Sequence, residues 1–216
     1  MNEAYYRQHA QRFYDETVNV DMSALYQPFV TCLPPGACIL DAGCGSGRDA
    51  KAFSEMGFVV DAFDASAELA ALARQLTGKP VEQRRFEDVV AVGKYDGIWC
   101  CASLLHVPEA ELPEVMAKLA AALKPGGVWY LSFKYGSGER EKEGRRFTNM
   151  DEAGLREIVD ELNESFAQNS ILKKYGNRPE ENIEIKEIWQ TGDLRSGRGD
   201  EPWLNTIISK TRTDMS

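Results

Sequence analysis

The sequence has no apolar run of bilayer length, and its opening, "MNEAYYRQHAQRFYDETVNVDM", lacks the apolar core of a signal peptide. Neither a membrane partner nor export is therefore expected. Positive charge is also in short supply. Against 34 Asp and Glu there are 25 Lys and Arg, a net charge of −9, which disfavours broad electrostatic binding to nucleic acid or anionic lipid. The five cysteines are Cys32, Cys38, Cys44, Cys100 and Cys101. Their odd number and the absence of a CxxC pair argue against a disulfide framework and a zinc site. They read as small core hydrophobes in a reduced, cytoplasmic protein with no metal. Internal repeats and low-complexity stretches are missing as well.

What is present is an alternation. "ACILDAG", "FVVDAFDAS", "VEQRRF", "YDGIWCCASLL" and "VWYLSFKYG" are apolar strand-like runs. Between them lie "GRDAKAFSEMG", "AELAALARQLTG" and "PEAELPEVMAKLAAALKPGG", which have helical spacing and glycine or proline–glycine stops. Strands alternating with helices predict right-handed crossovers and a parallel sheet covered on both faces, an α/β, Rossmann-like doubly wound fold. After Gly138 the pattern changes. "GEREKEGRR" reads as a charged loop and "DEAGLREIVDELN" as an amphipathic helix, while "IEIKEIWQTGD" and "WLNTIISKT" read as a terminal antiparallel hairpin. One domain over residues 1–216 is expected: an N-terminal helical lid to residue 32, a cofactor-binding core over 33–135, and substrate-side loops with the hairpin over 136–216.

Ligands of such sheets sit beyond the carboxyl ends of the strands. After the first strand comes "DAGCGSGRDA", in which Gly43, Gly45 and Gly47 let a ligand approach the backbone. A dinucleotide loop wants G-x-G-x-x-G, but Arg48 stands at the third glycine position, and Asp41 ahead of the turn repels a pyrophosphate. The G-K-[ST] ending of a phosphate-binding P-loop is absent too. Roughly twenty residues beyond Gly43, Asp64 ends the second strand where a carboxylate can accept both hydroxyls of a ribose. An acid facing an ammonium and another facing a ribose suit S-adenosylmethionine.

"ILDAGCGSGRDA", "VDAFDAS", "YDGIWCCASLLHVP" and "LKPGGVWYLSFKYG" together resemble the motifs of the class I S-adenosylmethionine-dependent methyltransferases, over Leu33 to Tyr135. "CASLLHVP" with "SFKYG" is most similar to the small bacterial tellurite-resistance-type methyltransferases. The resemblance implies a mostly parallel sheet with a C-terminal antiparallel hairpin strand, S-adenosylmethionine as cofactor and S-adenosylhomocysteine as product. It implies that Gly43, Gly45 and Gly47 cradle the methionine moiety, with Asp41 near its ammonium and Asp64 on the ribose. Ala65 and Ser66 would line the adenine, with Phe86 and Glu87, or Asp88, as the best matches to an adenine-binding acid. Ala102, Ser103, Leu105 and His106 would flank the transferring methyl.

Other residues have two readings. The Arg48 guanidinium can reach the methionine carboxylate, or be solvated at a helix start. Arg12 and Tyr14 can close over the cofactor, or belong to a lid packed by Tyr5, Tyr6, Phe13 and Tyr14. His106 is a base or acceptor-orienting group, or a packing histidine. Lys134 and Tyr135 follow the fifth strand on the ligand side, with Tyr135 a second catalytic candidate. Trp189 and Arg195, with Arg145, Arg146, Arg198 and Trp203, are candidates for a substrate pocket suited to a small polar or anionic molecule. The mobile, glycine-containing "LRSGRGDE" is a candidate flap.

The expected reaction is in-line methyl transfer to a small molecule, in which alignment contributes roughly 7–11 kcal/mol. The alternatives are a non-catalytic S-adenosylmethionine-binding module and an RNA or protein methyltransferase. "CASL" stands where amino-methylating nucleic-acid enzymes carry N/D-P-P-Y, which disfavours a nucleic-acid substrate. Oligomeric state is left open.

Overall fold

The computed structural model describes residues 2–168 and 181–212. Two helices, α1 (Asn2–Thr17) and α2 (Ser23–Val30), precede the sheet. β1 (Cys38–Ala42), α3 (Arg48–Glu55), β2 (Val59–Asp64), α4 (Ala67–Thr77), β3 (Glu82–Gln83), β4 (Tyr95–Cys100), α5 (Leu112–Ala122) and β5 (Leu123–Lys134) follow in βα alternation. β1 to β5 pair in parallel. After a small hairpin, β6 (Glu139–Lys142) with β7 (Arg145–Thr148), and α6 (Glu152–Gln168), come β8 (Glu181–Gly192) and β9 (Pro202–Arg212). β9 returns antiparallel between β5 and β8, so the seven-stranded sheet has the order β3-β2-β1-β4-β5-β9-β8. This is the α/β fold expected from the strand–helix alternation.

Period-two alternation divides the core between the two faces. Ile98, Trp129 and Leu131 pack with Leu119, Leu155 and Leu162 from α5 and α6. Trp99 and Tyr130, one residue along, turn to the other face and stack at 3.9 Å beside Tyr26, Phe29 and Phe53. The cysteines are all free, and Cys44 and Cys100 are buried.

Three segments differ from expectation. β3 is two residues long rather than the whole of "VEQRRF". α5 ends at Ala122, ahead of the proline–glycine pair. The chain pairs at once through Leu123 with Tyr95 and then bulges, resuming at Val128 opposite Gly97. "GEREKEGRR" is a hairpin rather than a loop. Its two-residue turn has positive φ at Glu143 (52°) and Gly144 (72°), the backbone twist that matches flanking strands.

The strand order reverses between β1 and β4, the place where an open sheet leaves a crevice at its carboxyl edge. The loops after β1 and β4 meet there, and α1 lies across them.

Candidate cofactor and acceptor site

The loop after β1 turns sharply because backbone amides supply its anchors. Gly43 and Cys44 N–H donate to the Phe63 carbonyl at 3.0 and 2.9 Å. Gly45 N–H donates to the Asp64 carboxylate at 2.9 Å, and Ser66 N–H to its other oxygen at 2.8 Å. A Cβ on Gly43 would lie 2.6 Å from Ser103 Cβ, so side chains are excluded where the β1 and β4 loops touch. Gly47 caps α3 at φ 80°, and a Cβ there would meet the Ala73 backbone at 2.9 Å. Gly47→Ala is therefore expected to destabilise the protein by about 2–5 kcal/mol, from left-handed strain plus overpacking, as read by urea unfolding.

Three aspartates differ sharply in role. Asp64 lines the cleft at the end of β2, and burial pushes its pKa up to about 6 against the two amide hydrogen bonds that favour its charge. Asp41 is 2% exposed and lies behind the loop rather than on the cleft wall. Its Oδ2 is buried without a partner; burial, then the neighbouring Asp49 charge, raises its pKa.

The acid that does line the cleft on this side is Asp49, which the sequence reading passed over. It accepts from Tyr26 Oη at 2.6 Å, Trp99 Nε1 at 2.9 Å, and Arg48 Nε and Nη2 at 2.6 and 3.0 Å. Burial raises the Asp49 pKa, but the Arg48 guanidinium and these hydrogen bonds outweigh it and hold the group below its ordinary value. Arg48 is thus neither solvated nor free. It grips Asp49, and its Nη1 reaches the Thr17 carbonyl at 3.3 Å, tying α1 to the glycine loop.

Two chambers open from this loop. The larger, of about 440 Å³, is lined by Asp64, Ala65, Ser66, Phe86, Glu87 and Ser103. Phe63 and Phe86 meet edge to face at 5.4 Å, giving it an aromatic wall. Asp88 is absent from this lining; its carboxylate instead accepts from Arg85 N–H.

The second chamber, of about 150 Å³, takes Arg48, Asp49, Ser132, Lys134, Arg145, Phe147, Arg195 and Trp203 into its walls. Gly43, Gly45, Ala102 and His106 line both chambers, as do Tyr6 and Phe13 from α1. Ala102 has φ 51°, and its N–H is held at 2.8 Å by Ser132 Oγ.

His106 stands at the junction with its tautomer defined. Only Nδ1–H can donate to the Arg146 carbonyl (3.2 Å), so Nε2 accepts from the Tyr6 hydroxyl (2.8 Å). Burial pushes its pKa down to about 4, with the Arg145 and Lys134 charges adding to the effect and the Arg146 carbonyl opposing it. Lys134 is buried beside the Phe147 and Trp203 rings and paired with Glu201. Arg195 is paired with Asp193.

Three expectations are corrected by placement. Tyr135, one residue beyond Lys134, faces the opposite way, is 37% exposed, and donates to Glu152 at 2.9 Å outside both chambers. Trp189 pairs across the ladder with Asn205 and packs near Tyr130, two residues short of Thr191, which does reach the chamber. Trp203 is the tryptophan at the ligand edge. In the lid, Tyr6 and Phe13 face the cleft, whereas Arg12 is exposed and pairs with Glu16.

A methyltransferase domain family model matches residues 9–171. The chain belongs to this family, the class I S-adenosylmethionine-dependent methyltransferases, and has their fold. It is 36% identical over 106 residues to a ubiquinone biosynthesis O-methyltransferase of Xanthomonas axonopodis pv. citri, an alignment covering 46% of this chain and 44% of that one. The chain thus spans less than half the length of that relative. Two solved structures share the fold. One is the 1,6-didemethyltoxoflavin-N1-methyltransferase of Burkholderia thailandensis, with bound 1,6-didemethyltoxoflavin and S-adenosylhomocysteine (TM-score 0.72, 19% identity, 97% and 87% of the two chains). The other is a TehB-like methyltransferase from Corynebacterium glutamicum (TM-score 0.65, 18% identity, 96% and 99%).

Proposed function

We propose that the chain is a single catalytic domain that moves a methyl group from S-adenosylmethionine to a small-molecule acceptor. The observation that carries this reading is the meeting of the two chambers over one glycine loop, with Ala102 and His106 at the junction. The residues fit the cofactor. Asp64 offers a carboxylate at the end of β2, and the loop excludes side chains at Gly43 and Gly47.

Asp64 would hold the ribose hydroxyls, Phe86 the adenine face, and Gly43 with Gly45 the methionine moiety. When bound, S-adenosylmethionine supplies a methyl group on a sulfonium, a leaving group that needs no protein acid. The protein's task is then to align the acceptor and exclude water. Because the pKa of His106 is depressed, its ring is neutral at pH 7, and through Nε2 it fixes the Tyr6 hydroxyl, whose oxygen is left to accept from the acceptor. Tyr6, whose own pKa burial raises to about 12, keeps that nitrogen occupied by a hydroxyl.

Calorimetry is expected to show micromolar binding of S-adenosylmethionine and S-adenosylhomocysteine and none of NAD; tight NAD binding would overturn the assignment. Incubation with methyl-labelled cofactor and a metabolite extract is expected to label a small molecule, whereas a mere binding module would label nothing.

A further inference from the structure

The second, smaller chamber, which the reading above leaves for the acceptor, has a charge opposite to that of the chain. Its walls carry six Lys or Arg and three Asp or Glu, in a protein of net charge −9. Three of the six cations are committed. Arg48 is locked on buried Asp49, and Arg195 on Asp193, whose side chain is 5% exposed. Lys134 is paired with Glu201.

Arg145 and Arg198 differ. Arg198 has no ion pair among the described residues. Arg145 is 12% exposed, its guanidinium lies 4.4 Å from the Tyr5 ring and 5.2 Å from the Phe147 ring, and its Nε is buried without a partner. Among the described residues its one ion-pair partner is Glu143, at 2.9 Å, 57% exposed and on the turn of the β6–β7 hairpin. A solvent-facing carboxylate there is readily exchanged for another of the same chemistry.

Building on the methyltransferase reading above, we infer that the acceptor is a small aromatic carboxylate, its carboxylate seated on Arg145 and Arg198 and its ring against the chamber wall that Phe147 and Trp203 contribute. Glu143 occupies the Arg145 fork until that carboxylate arrives. Arg145 supplies two parallel donors to a planar anion, while flanking rings favour a flat body. Phosphate is a poorer match, because the surrounding wall is aromatic.

The test uses the full chain saturated with S-adenosylhomocysteine, titrated calorimetrically with 4-hydroxybenzoate and with 4-hydroxybenzamide, which differ in the charged group. The acid is expected to bind about tenfold or more tightly than the amide. Arg198→Gln and Arg145→Lys are each expected to shrink that preference while leaving S-adenosylhomocysteine affinity unchanged. Glu143→Gln, which removes the competing carboxylate, is expected to tighten the acid by roughly two- to fivefold. Equal binding of acid and amide, no binding of either, a preference untouched in both arginine variants, or displacement of the acid by equimolar inorganic phosphate would overturn the inference. Failure of the chain to bind S-adenosylhomocysteine would instead overturn the methyltransferase reading on which it rests.

Discussion

Asp49→Ala is expected to lower stability by about 3–5 kcal/mol, the cost of leaving a buried cation and two further donors without their shared acceptor. For a chain of this size that corresponds to a fall in Tm of roughly 6–20 °C, measurable by calorimetry. Replacing this one carboxylate strands Arg48, the Tyr26 hydroxyl and the Trp99 indole together. The pH dependence follows from the depressed Asp49 pKa. A group whose folded pKa lies below its unfolded value stabilises the protein above the unfolded pKa and loses that contribution as pH falls through the folded one. The wild type is thus expected to be most sensitive to this group in acid below about pH 4, and the gap between wild type and Asp49→Ala to narrow there. A gap that stayed constant into acid would exclude an ionised Asp49 as its source.

Asp64→Asn is expected to weaken S-adenosylhomocysteine binding by about 1–3 kcal/mol, through loss of a charged acceptor for the ribose hydroxyls. Asp64 also gives a distinctive pH signature, because burial sets its pKa at about 6. Between pH 6 and 4 the folded protein takes up a proton that the unfolded chain does not, so this group's contribution to stability rises as pH falls. Cofactor binding favours the carboxylate, so affinity is expected to fall over the same interval. Opposite slopes of stability and affinity, both flattened in Asp64→Asn, are the result to look for in parallel melting and calorimetric titrations. An affinity unchanged by the substitution would place Asp64 outside the cofactor site.

Much of this architecture is legible in the sequence because parallel strands buried on both faces read as continuous apolar runs. "GIWCCA" and "FVVDAF" are of that kind, and the segments they feed carry Ala102, His106 and Asp64. The β6–β7 hairpin was hidden for the converse reason. All four β6 residues are charged and exposed, so no apolar alternation marks them as a strand. Tyr135 and Trp189 were misplaced by small geometric steps that composition does not carry. Tyr135 is one pleat away from the face of Lys134, and Trp189 is two residues too far from the ligand end of β8. Asp49 carries no signal in the sequence beyond its place in the first turn of a helix, since its partners Tyr26 and Trp99 come from distant elements. A signal for the lid was present: Tyr6, Phe13 and Thr17 recur at i, i+7 and i+11, one stripe of a helix.

That stripe makes α1 a common roof, since Tyr6 and Phe13 border both chambers. The helix is fastened to each side separately, by Asn2 exchanging two hydrogen bonds with the Arg146 backbone and by Thr17 accepting from Arg48. A ligand in either chamber that shifted α1 would load the same fasteners. Thermodynamic reciprocity then applies: whatever factor the acceptor imposes on the affinity for cofactor, the cofactor imposes equally on the affinity for acceptor. Ligands seated in the two chambers would be linked through a helix that needs to react with neither.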